Sequence, residues 1–404
     1  LAAPAVARAQ GSAKVVVVGG GFGGATCART VKGLDATVAV TLVEPNRTYT
    51  ACPASNAVIA GDRDLARLQF GYNALRAAGV TVAETRAVRV DTAKRSVNLA
   101  DGNTLSYDRL VVAPGIDLNW TALPGYDEKA AERMPHAWKG DEQIALLRRQ
   151  LEAMPDGGLV VITAPATPYR CPPGPYERAG LIAWYLKAKK PRSHVLILDA
   201  KDGFSKQRLF QQAWAELYPG MVEWVPLSQG GNVSAVDPET LTVKTDFDDH
   251  KADVANVIPP QKAAAIATIA GVADRTGWCP VEPTTFESTL QANVHVLGDG
   301  AIMGAMAKAA FAANVQGKVC AAAIVARLGG KTPAEPLMVN TCYSLAAPNY
   351  GFSIAGVYRP EKGQLLEVPG SGGTSPIDVD ADYRAQEARY AEAWFDTVTN
   401  EIFG

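Results

Sequence analysis

Apolar runs and segments of helical period alternate along the chain in an order that repeats. Lys14 to Val18 is a β-branched run that meets Gly19-Gly20-Gly21-Phe22-Gly23-Gly24, and Ala25 to Val31 continues as a helix. A second run, Val38 to Val43, ends in Glu44, so strand, turn, helix and strand fill about the thirty residues of a βαβ unit. Val80 to Val82, Val88 to Val90, Ser96 to Leu99 and Thr104-Leu105 then alternate as antiparallel strands do, around the Asp101-Gly102 turn. Leu110 to Ala113 returns as a buried strand.

A second unit follows a Pro/Gly-containing connection near Leu123 to Tyr126. Helix Asp141 to Ala153, strand Gly157 to Thr163, helix Arg178 to Ala188 and strand His194 to Asp199 repeat the α/β order of the first. Val254 to Ile258 ends this unit, Val294 to Leu297 rejoins the first sheet, and a helix from Gly304 to Ala326 packs there. After Pro333 the composition changes, with a Gly/Ser/Pro loop at Pro369 to Pro376 and a helix from Asp380 to Phe403. The expected domains are 13–122 and 266–333 as one split unit, 123–265 as the second, and 334–404 as a C-terminal α+β segment.

Composition supports this picture and narrows it. With 404 residues, 48% apolar and 20% charged, the chain has material for two or three folded domains. The 39 basic and 41 acidic residues nearly cancel and form no strong basic run, which argues against nucleic acid as a partner. No stretch approaches the roughly 18 apolar residues of a membrane span. Leu1 to Gln10 reads LAAPAVARAQ, and Ala7-Arg8-Ala9 has the small-residue pattern of a signal cleavage site, so a periplasmic location is expected.

The glycine turn carries the first chemistry. Gly19, Gly21 and Gly24 have G-x-G-x-x-G spacing between a strand and a helix, and Glu44 stands 20 residues beyond Gly24, where it would accept hydrogen bonds from a ribose hydroxyl. This points to a dinucleotide. Gly298-Asp299, after the strand Val294 to Leu297, offers a carboxylate for a ribityl hydroxyl, and Tyr107 to Gly115 completes a set of three segments. The second unit departs from this pattern. After Leu159 to Ile162, Thr163 to Pro175 contains five prolines and one glycine, which removes N–H donors where a second pyrophosphate would bind. NAD(P)H is therefore not expected there in the usual way, and Cys171 occupies the loop instead.

The three segments together resemble those of the two-dinucleotide-fold flavoproteins of the disulfide-reductase and sulfide:quinone reductase superfamily, over roughly residues 14 to 330. The resemblance implies two Rossmann-like domains and FAD bound by Gly19, Gly21, Gly24, Glu44, Gly115, Gly298 and Asp299. Cys171 to Glu177 and Asn340 to Ser344 are similar to the redox-cysteine segments of sulfide:quinone reductases and of flavocytochrome c sulfide dehydrogenase. Tyr49-Thr50-Ala51-Cys52-Pro53-Ala54-Ser55-Asn56 is similar to the segment of the latter whose cysteine is joined to the flavin 8α-methyl group. The flavoprotein subunit of flavocytochrome c is thus the family resembled most, over almost the whole chain.

That resemblance implies covalent FAD through Cys52 with Asn56 nearby, a redox disulfide between Cys171 and Cys342, sulfide as substrate, and a separate c-type cytochrome subunit as acceptor. Hydrosulfide can attack a disulfide sulfur and expel the other as a thiolate beside the flavin. Glu177 is a proton acceptor near the site or, equally, a solvated acid at a helix start. The alternatives are a sulfide:quinone reductase and a flavoprotein whose FAD is redox-inactive. Cys27, Cys279 and Cys320 read as packing residues. His136, His194, His250 and His295 lack metal-ligand spacing, so no metal site is expected. Tyr383, Tyr390, Trp394, Val398 and Ile402 share one face of the final helix, whose acidic balance suits protein packing better than anionic lipid.

Overall fold

The computed structural model describes residues 12–404; the Ala7-Arg8-Ala9 signal lies outside the described residues. Five parallel strands form the first sheet in the order Val294–Val296, Arg109–Val112, Lys14–Val18, Ala39–Val43, Thr81–Ala83. Val15, Val16, Val17 and Val18 are all buried, because a parallel sheet covered on both faces has no solvent side for alternation to mark. Each such side chain contributes about 1.5–3 kcal/mol of burial. Helix Phe22–Leu34 crosses this sheet against helix Ala310–Leu328. A Cβ at Gly317 would stand 2.7 Å from the Gly23 carbonyl oxygen, so the two helices approach at backbone distance.

The strand near Val80 corrects an expectation. It runs Thr81–Ala83 parallel to Ala39–Val43 in the main sheet, whereas Ala87–Asp91, Ser96–Leu99 and Thr104–Ser106 form the antiparallel meander alone. Three-residue strands carry too little pattern to declare their partner. The second unit has its own parallel sheet, ordered Val222–Val225, His194–Asp199, Leu159–Ala164, Val254–Val257. Helix Gly174–Lys189 follows the central strand and starts four residues before the periodicity suggests.

Two further boundaries move. The late helix begins at Ala310 instead of Gly304, because Gly304 has φ +65° and the Lys308 ammonium is tied to the carbonyls of Asp299 and Ala301. Beyond Pro333 a hairpin, Met338–Ala347 with Tyr350–Glu361, forms the C-terminal sheet, and Gly373–Thr374 pairs inside the expected loop. The last helix spans Ala381–Phe403, with Asp380 Oδ1 accepting the Tyr383 N–H at 2.8 Å. Its expected apolar face holds only in part. Val398 and Ile402 are buried, but Tyr383 and Tyr390 are 40% and 51% exposed, while Arg384 and Glu387 point inward. The loop at Ser375–Ile377 explains this, since its carbonyls accept Arg384 and Ser375 donates to Glu387 at 2.9 Å. At the helix end Phe403 stacks on Tyr49 and Phe70, bringing the C-terminus onto the first domain.

Candidate functional site

The glycine turn is held by the fold at two positions and left open at a third. A Cβ at Gly19, whose φ is +102°, would meet the Ala113 oxygen at 2.2 Å, and one at Gly24 would meet the Gly19 oxygen at 1.9 Å. Both glycines are required by backbone contact alone. At Gly21 the nearest atom to a Cβ is a Tyr49 ring carbon at 3.4 Å, an ordinary contact, and no side chain caps the helix that starts there. First-turn N–H groups thus remain available to an anion. Glu44, buried at the end of its strand, accepts from Gly20 N and from the backbone and side-chain nitrogens of Asn46, each at 2.9 Å. A carboxylate has about four acceptor positions, so one remains for a hydroxyl.

Asp299 lies in the Gly298–Gly300 turn, ahead of the helix and not at its cap. Its Oδ1 is buried without a hydrogen-bond partner, as expected of an acceptor meant for a ligand hydroxyl. Burial raises its pKa, against the opposing charges of Arg170 and Lys308. Burial also lowers the Lys308 ammonium to about 8, against Asp299. Gly115 has φ +64° and no atom within 4 Å of a Cβ position, while the Gly298 N–H is donated to Gln316 Oε1 at 2.8 Å. The open Gly21, the spare capacity of Glu44 and the orphaned Asp299 oxygen fit FAD.

The second unit has lost this arrangement by being filled. Asp199, at the end of the second strand where the first domain keeps Glu44, is fully buried and accepts from Tyr176 Oη, Lys201 Nζ and Trp224 Nε1. Tyr176 stacks on Phe204 with centroids 3.5 Å apart, and Trp224 meets Phe204 edge-on at 5.2 Å. The acid of a nucleotide fold is here the anchor of an aromatic cluster.

Helix Gly174–Lys189 instead presents its N-terminus to the cysteines. Cys171 precedes it with φ +57°, its N–H donated to the Lys308 carbonyl at 2.8 Å and its carbonyl accepting Gly174 N. Burial raises the Cys171 thiol well above its ordinary value; neighbouring Cys342, Glu177 and Cys52 push it further and Lys206 opposes them. Cys52 is also raised by burial, against Arg170. Cys52, Cys171 and Cys342 are each half-buried. Cys342 sits on Met338–Ala347 opposite Ile354, its inward neighbours being Asn340 and Ser344.

Glu177 is fixed, not solvated: Oε1 accepts Leu345 N at 2.9 Å and Oε2 accepts Asn56 Nδ2 at 2.8 Å. Burial raises its pKa and these hydrogen bonds offset part of that rise. Asn56, expected beside the cofactor, spends its amide on Glu177, on the Gly174 carbonyl and on Arg178, whose Nε donates to its Oδ1 at 2.9 Å. Arg178 is buried and also reaches Asn256 and the carbonyls of His136 and Ala137, stitching the two domains beneath the cysteines. Burial lowers its pKa to about 9, with Cys171 and Glu177 raising it.

Sequence reasoning missed Arg178, Asp199 and Lys206, which lie in a helix, at a strand end and in a loop, none within a motif. Lys206 has φ +63° and donates from Nζ to the Cys342 carbonyl at 2.7 Å and to Ser344 Oγ at 2.8 Å. Cys27 and Cys320 are buried neighbours across the close helix pair, and Cys279 is buried, as packing residues are. His136 and His295 are buried, and the described residues hold no cluster of three or more metal-ligating side chains.

Comparison with known proteins agrees with this architecture. Residues 144–259 match the family model described as sulfide dehydrogenase [flavocytochrome c] flavoprotein chain, central, and 334–403 match flavocytochrome c sulphide dehydrogenase, flavin-binding. Residues 13–154 match pyridine nucleotide-disulphide oxidoreductase. The mitochondrial sulfide:quinone oxidoreductase of Mus musculus is 23% identical over 304 residues, covering 73% of this chain and 67% of that protein. The sulfide dehydrogenase [flavocytochrome c] flavoprotein chain of Chlorobaculum thiosulfatiphilum is 56% identical over 48 residues, 12% of this chain and 100% of that sequence. The sulfide:quinone oxidoreductase structure from Aquifex aeolicus superposes with a TM-score of 0.75 at 18% identity, covering 96% of this chain and 92% of that one. The chain therefore belongs to the sulfide dehydrogenase and sulfide:quinone oxidoreductase flavoprotein superfamily.

Proposed function

We propose that this protein oxidises sulfide to sulfur or polysulfide through Cys171 and Cys342, with FAD joined covalently to Cys52 and electrons leaving to a c-type cytochrome subunit in the periplasm. The observation that carries the reading is the grouping of Cys171 with Cys342, Glu177 and Cys52 at the start of one helix, in a domain whose own nucleotide site is packed with aromatic rings. Gly19, Gly21, Gly24, Glu44, Gly115, Gly298 and Asp299 would hold the FAD, which supplies a two-electron acceptor and a route to one-electron partners.

The chain's own groups do the rest. In the oxidised state hydrosulfide attacks one sulfur of the Cys171–Cys342 pair, forming a new S–S bond as the old one breaks and leaving the electron pair on the other sulfur. Glu177, held by Leu345 N and Asn56 and raised by burial, takes the proton shed by hydrogen sulfide at its carboxylate. Arg178 and Asn56 fix that carboxylate relative to the first domain. The flavocytochrome c descriptions of two matched segments support the cytochrome acceptor. The relatives covering most of the chain are named quinone oxidoreductases and favour a quinone instead.

Anaerobic sulfide titration of the flavoprotein tests the reading. Sulfide should bleach the flavin, and Cys171→Ser, Cys342→Ser and the double variant should each lose about 10³-fold or more of the bleaching rate, nearly equally, because groups acting as one unit are non-additive. Wild-type rates in either single variant would return these cysteines to packing. Flavin that stays with acid-precipitated protein, and is released in Cys52→Ala, would establish the covalent link. Comparing cytochrome c with a short-chain quinone as acceptor separates the two exits.

A further inference from the structure

Lys206 is a buried cation with no assigned work. Its side chain comes from the loop before helix Gln207–Leu217, and the residue is 5% exposed. Among the described residues it makes no ion pair, and its two hydrogen bonds run to neutral acceptors, the Cys342 carbonyl and Ser344 Oγ. One of its three N–H donors is unspent. The Phe352 ring, 5.9 Å from Nζ, gives at most a cation–π contact at the limit of its range. A buried, unpaired ammonium is costly, and pinning two neutral acceptors would be done as well by an uncharged amide.

Backbone strain points to the same place. Among the described residues nine other than glycine have positive φ, and three of them, Ala54, Cys171 and Lys206, belong to the segments carrying Cys52, Cys171 and this lysine. Each such conformation is strained and persists where surrounding structure enforces it, as functional sites often do. The chain thus spends conformational energy to hold a lysine at the cysteine strand.

We propose that Lys206 is a positioning residue whose ammonium holds the negative charge that forms on the Cys171–Cys342 sulfur pair. This rests on the sulfide-oxidising reading given above. Opening of the disulfide by HS⁻ places a full charge on the departing sulfur at half-buried cysteines. Glu177, from the helix, and Cys52, from the first domain, oppose a charge on Cys171, whereas Lys206 favours it. Arg170 and Arg178 also feel Cys171 but are occupied elsewhere, Arg170 with Cys52, Asp299 and the Trp138 carbonyl, and Arg178 with Asn56 and Asn256. Tyr169 and Tyr358 face the pair from the Pro-rich loop and the hairpin and carry no positive charge. Lys206 hydrogen-bonds only neutral acceptors, and its charge reaches both Glu177 and the cysteine pair, so it is the cation placed to respond to charge on sulfur.

The test follows iodoacetamide labelling of Cys171 in the reduced holoprotein across pH 6–10, roughly the range in which thiols titrate, by peptide mass spectrometry. In Lys206→Met labelling at fixed pH should slow about tenfold and its profile should move to higher pH, while Lys206→Arg should restore the wild-type profile. Lys206→Gln, which keeps an N–H donor for the strand, should behave as Lys206→Met and serves in its place if that variant does not fold. Identical profiles for Lys206→Gln and wild type would overturn the role and leave Lys206 as a structural pin. No sulfide enters this measurement. A wild type that labels as expected but is not bleached by sulfide would overturn the sulfide reading instead.

Discussion

The two parallel-sheet domains begin alike and end with opposite uses of the same architecture. In the first, a glycine turn leaves Gly21 open and a strand-end acid, Glu44, has an acceptor position to spare. In the second, prolines replace the glycines, and the strand-end acid Asp199 is consumed by Tyr176, Lys201 and Trp224. One helix N-terminus faces the place for a pyrophosphate, and the other carries Cys171 and Glu177. On the function proposed above, a nucleotide fold becomes a redox scaffold by filling its ribose site and keeping its helix start.

The largest effect should come from challenging the first domain. Gly21→Ala adds a methyl that the protein accommodates at 3.4 Å from Tyr49, at an unremarkable φ of −75°, so the apoprotein should fold. It should lose most of its flavin, at least about tenfold in flavin-to-protein ratio, because the backbone can no longer approach the pyrophosphate. Gly24→Ala should fail differently, since its methyl meets the Gly19 oxygen at 1.9 Å and disrupts the turn with or without ligand. Absorbance and circular dichroism of the two variants separate the cases. Full flavin content in Gly21→Ala would remove the distinction between open and filled turns.

A matched change in the second domain should alter stability without altering flavin content. Asp199→Ala leaves the Lys201 ammonium without its carboxylate partner and removes the acceptor of the Tyr176 and Trp224 donors in a buried cluster, at a cost of about 3–5 kcal/mol. Urea unfolding should show this loss, and NADH should still not bleach the flavin, because the prolines and the Tyr176–Phe204 stack remain. NADH-dependent bleaching in wild type or variant would mean that the second domain still accepts a nucleotide.

Much of this contrast was legible in the residues themselves. The glycine spacing, the strand-end Glu44 and the Pro-rich loop at Cys171 are local patterns whose meaning does not depend on distant contacts. Helix Asp141–Ala153 and strand His194–Asp199 fall where periodicity puts them. What was hidden depends on chain segments meeting. Glu177 could be read as solvated or functional until Leu345, 168 residues away, was found to donate to it. The burial of the charged Arg384 and Glu387 likewise follows only from the partners that the Ser375–Ile377 loop offers them. Lys206 sits in a loop with no periodicity and acquires its setting only from the strand bearing Cys342.

The smallest effect concerns the seam between the domains, where His136 tests whether their joint is built for neutral pH. Its carbonyl accepts Arg178 and Asn256, and its Nδ1 accepts the Trp138 N–H at 2.9 Å, which requires an unprotonated nitrogen. Burial, with the charges of Arg178, Arg170 and Lys139, lowers its pKa to about 3. An unfolded histidine titrates near pH 6.5, so the unfolded chain binds the proton first as pH falls. The stability held by neutral His136 is thus complete above about pH 6.5 and is lost as pH falls toward 3, reaching a loss of about 2 kcal/mol at pH 5. His295, lowered by burial to about 4, adds a loss of the same sign. His136→Gln retains an acceptor for Trp138 but has no proton to take up. Urea midpoints at pH 7.5 and 5 should therefore differ less in the variant than in wild type, by an amount equivalent to about 2 kcal/mol. Parallel losses in both proteins would place the acid sensitivity of the joint in other groups.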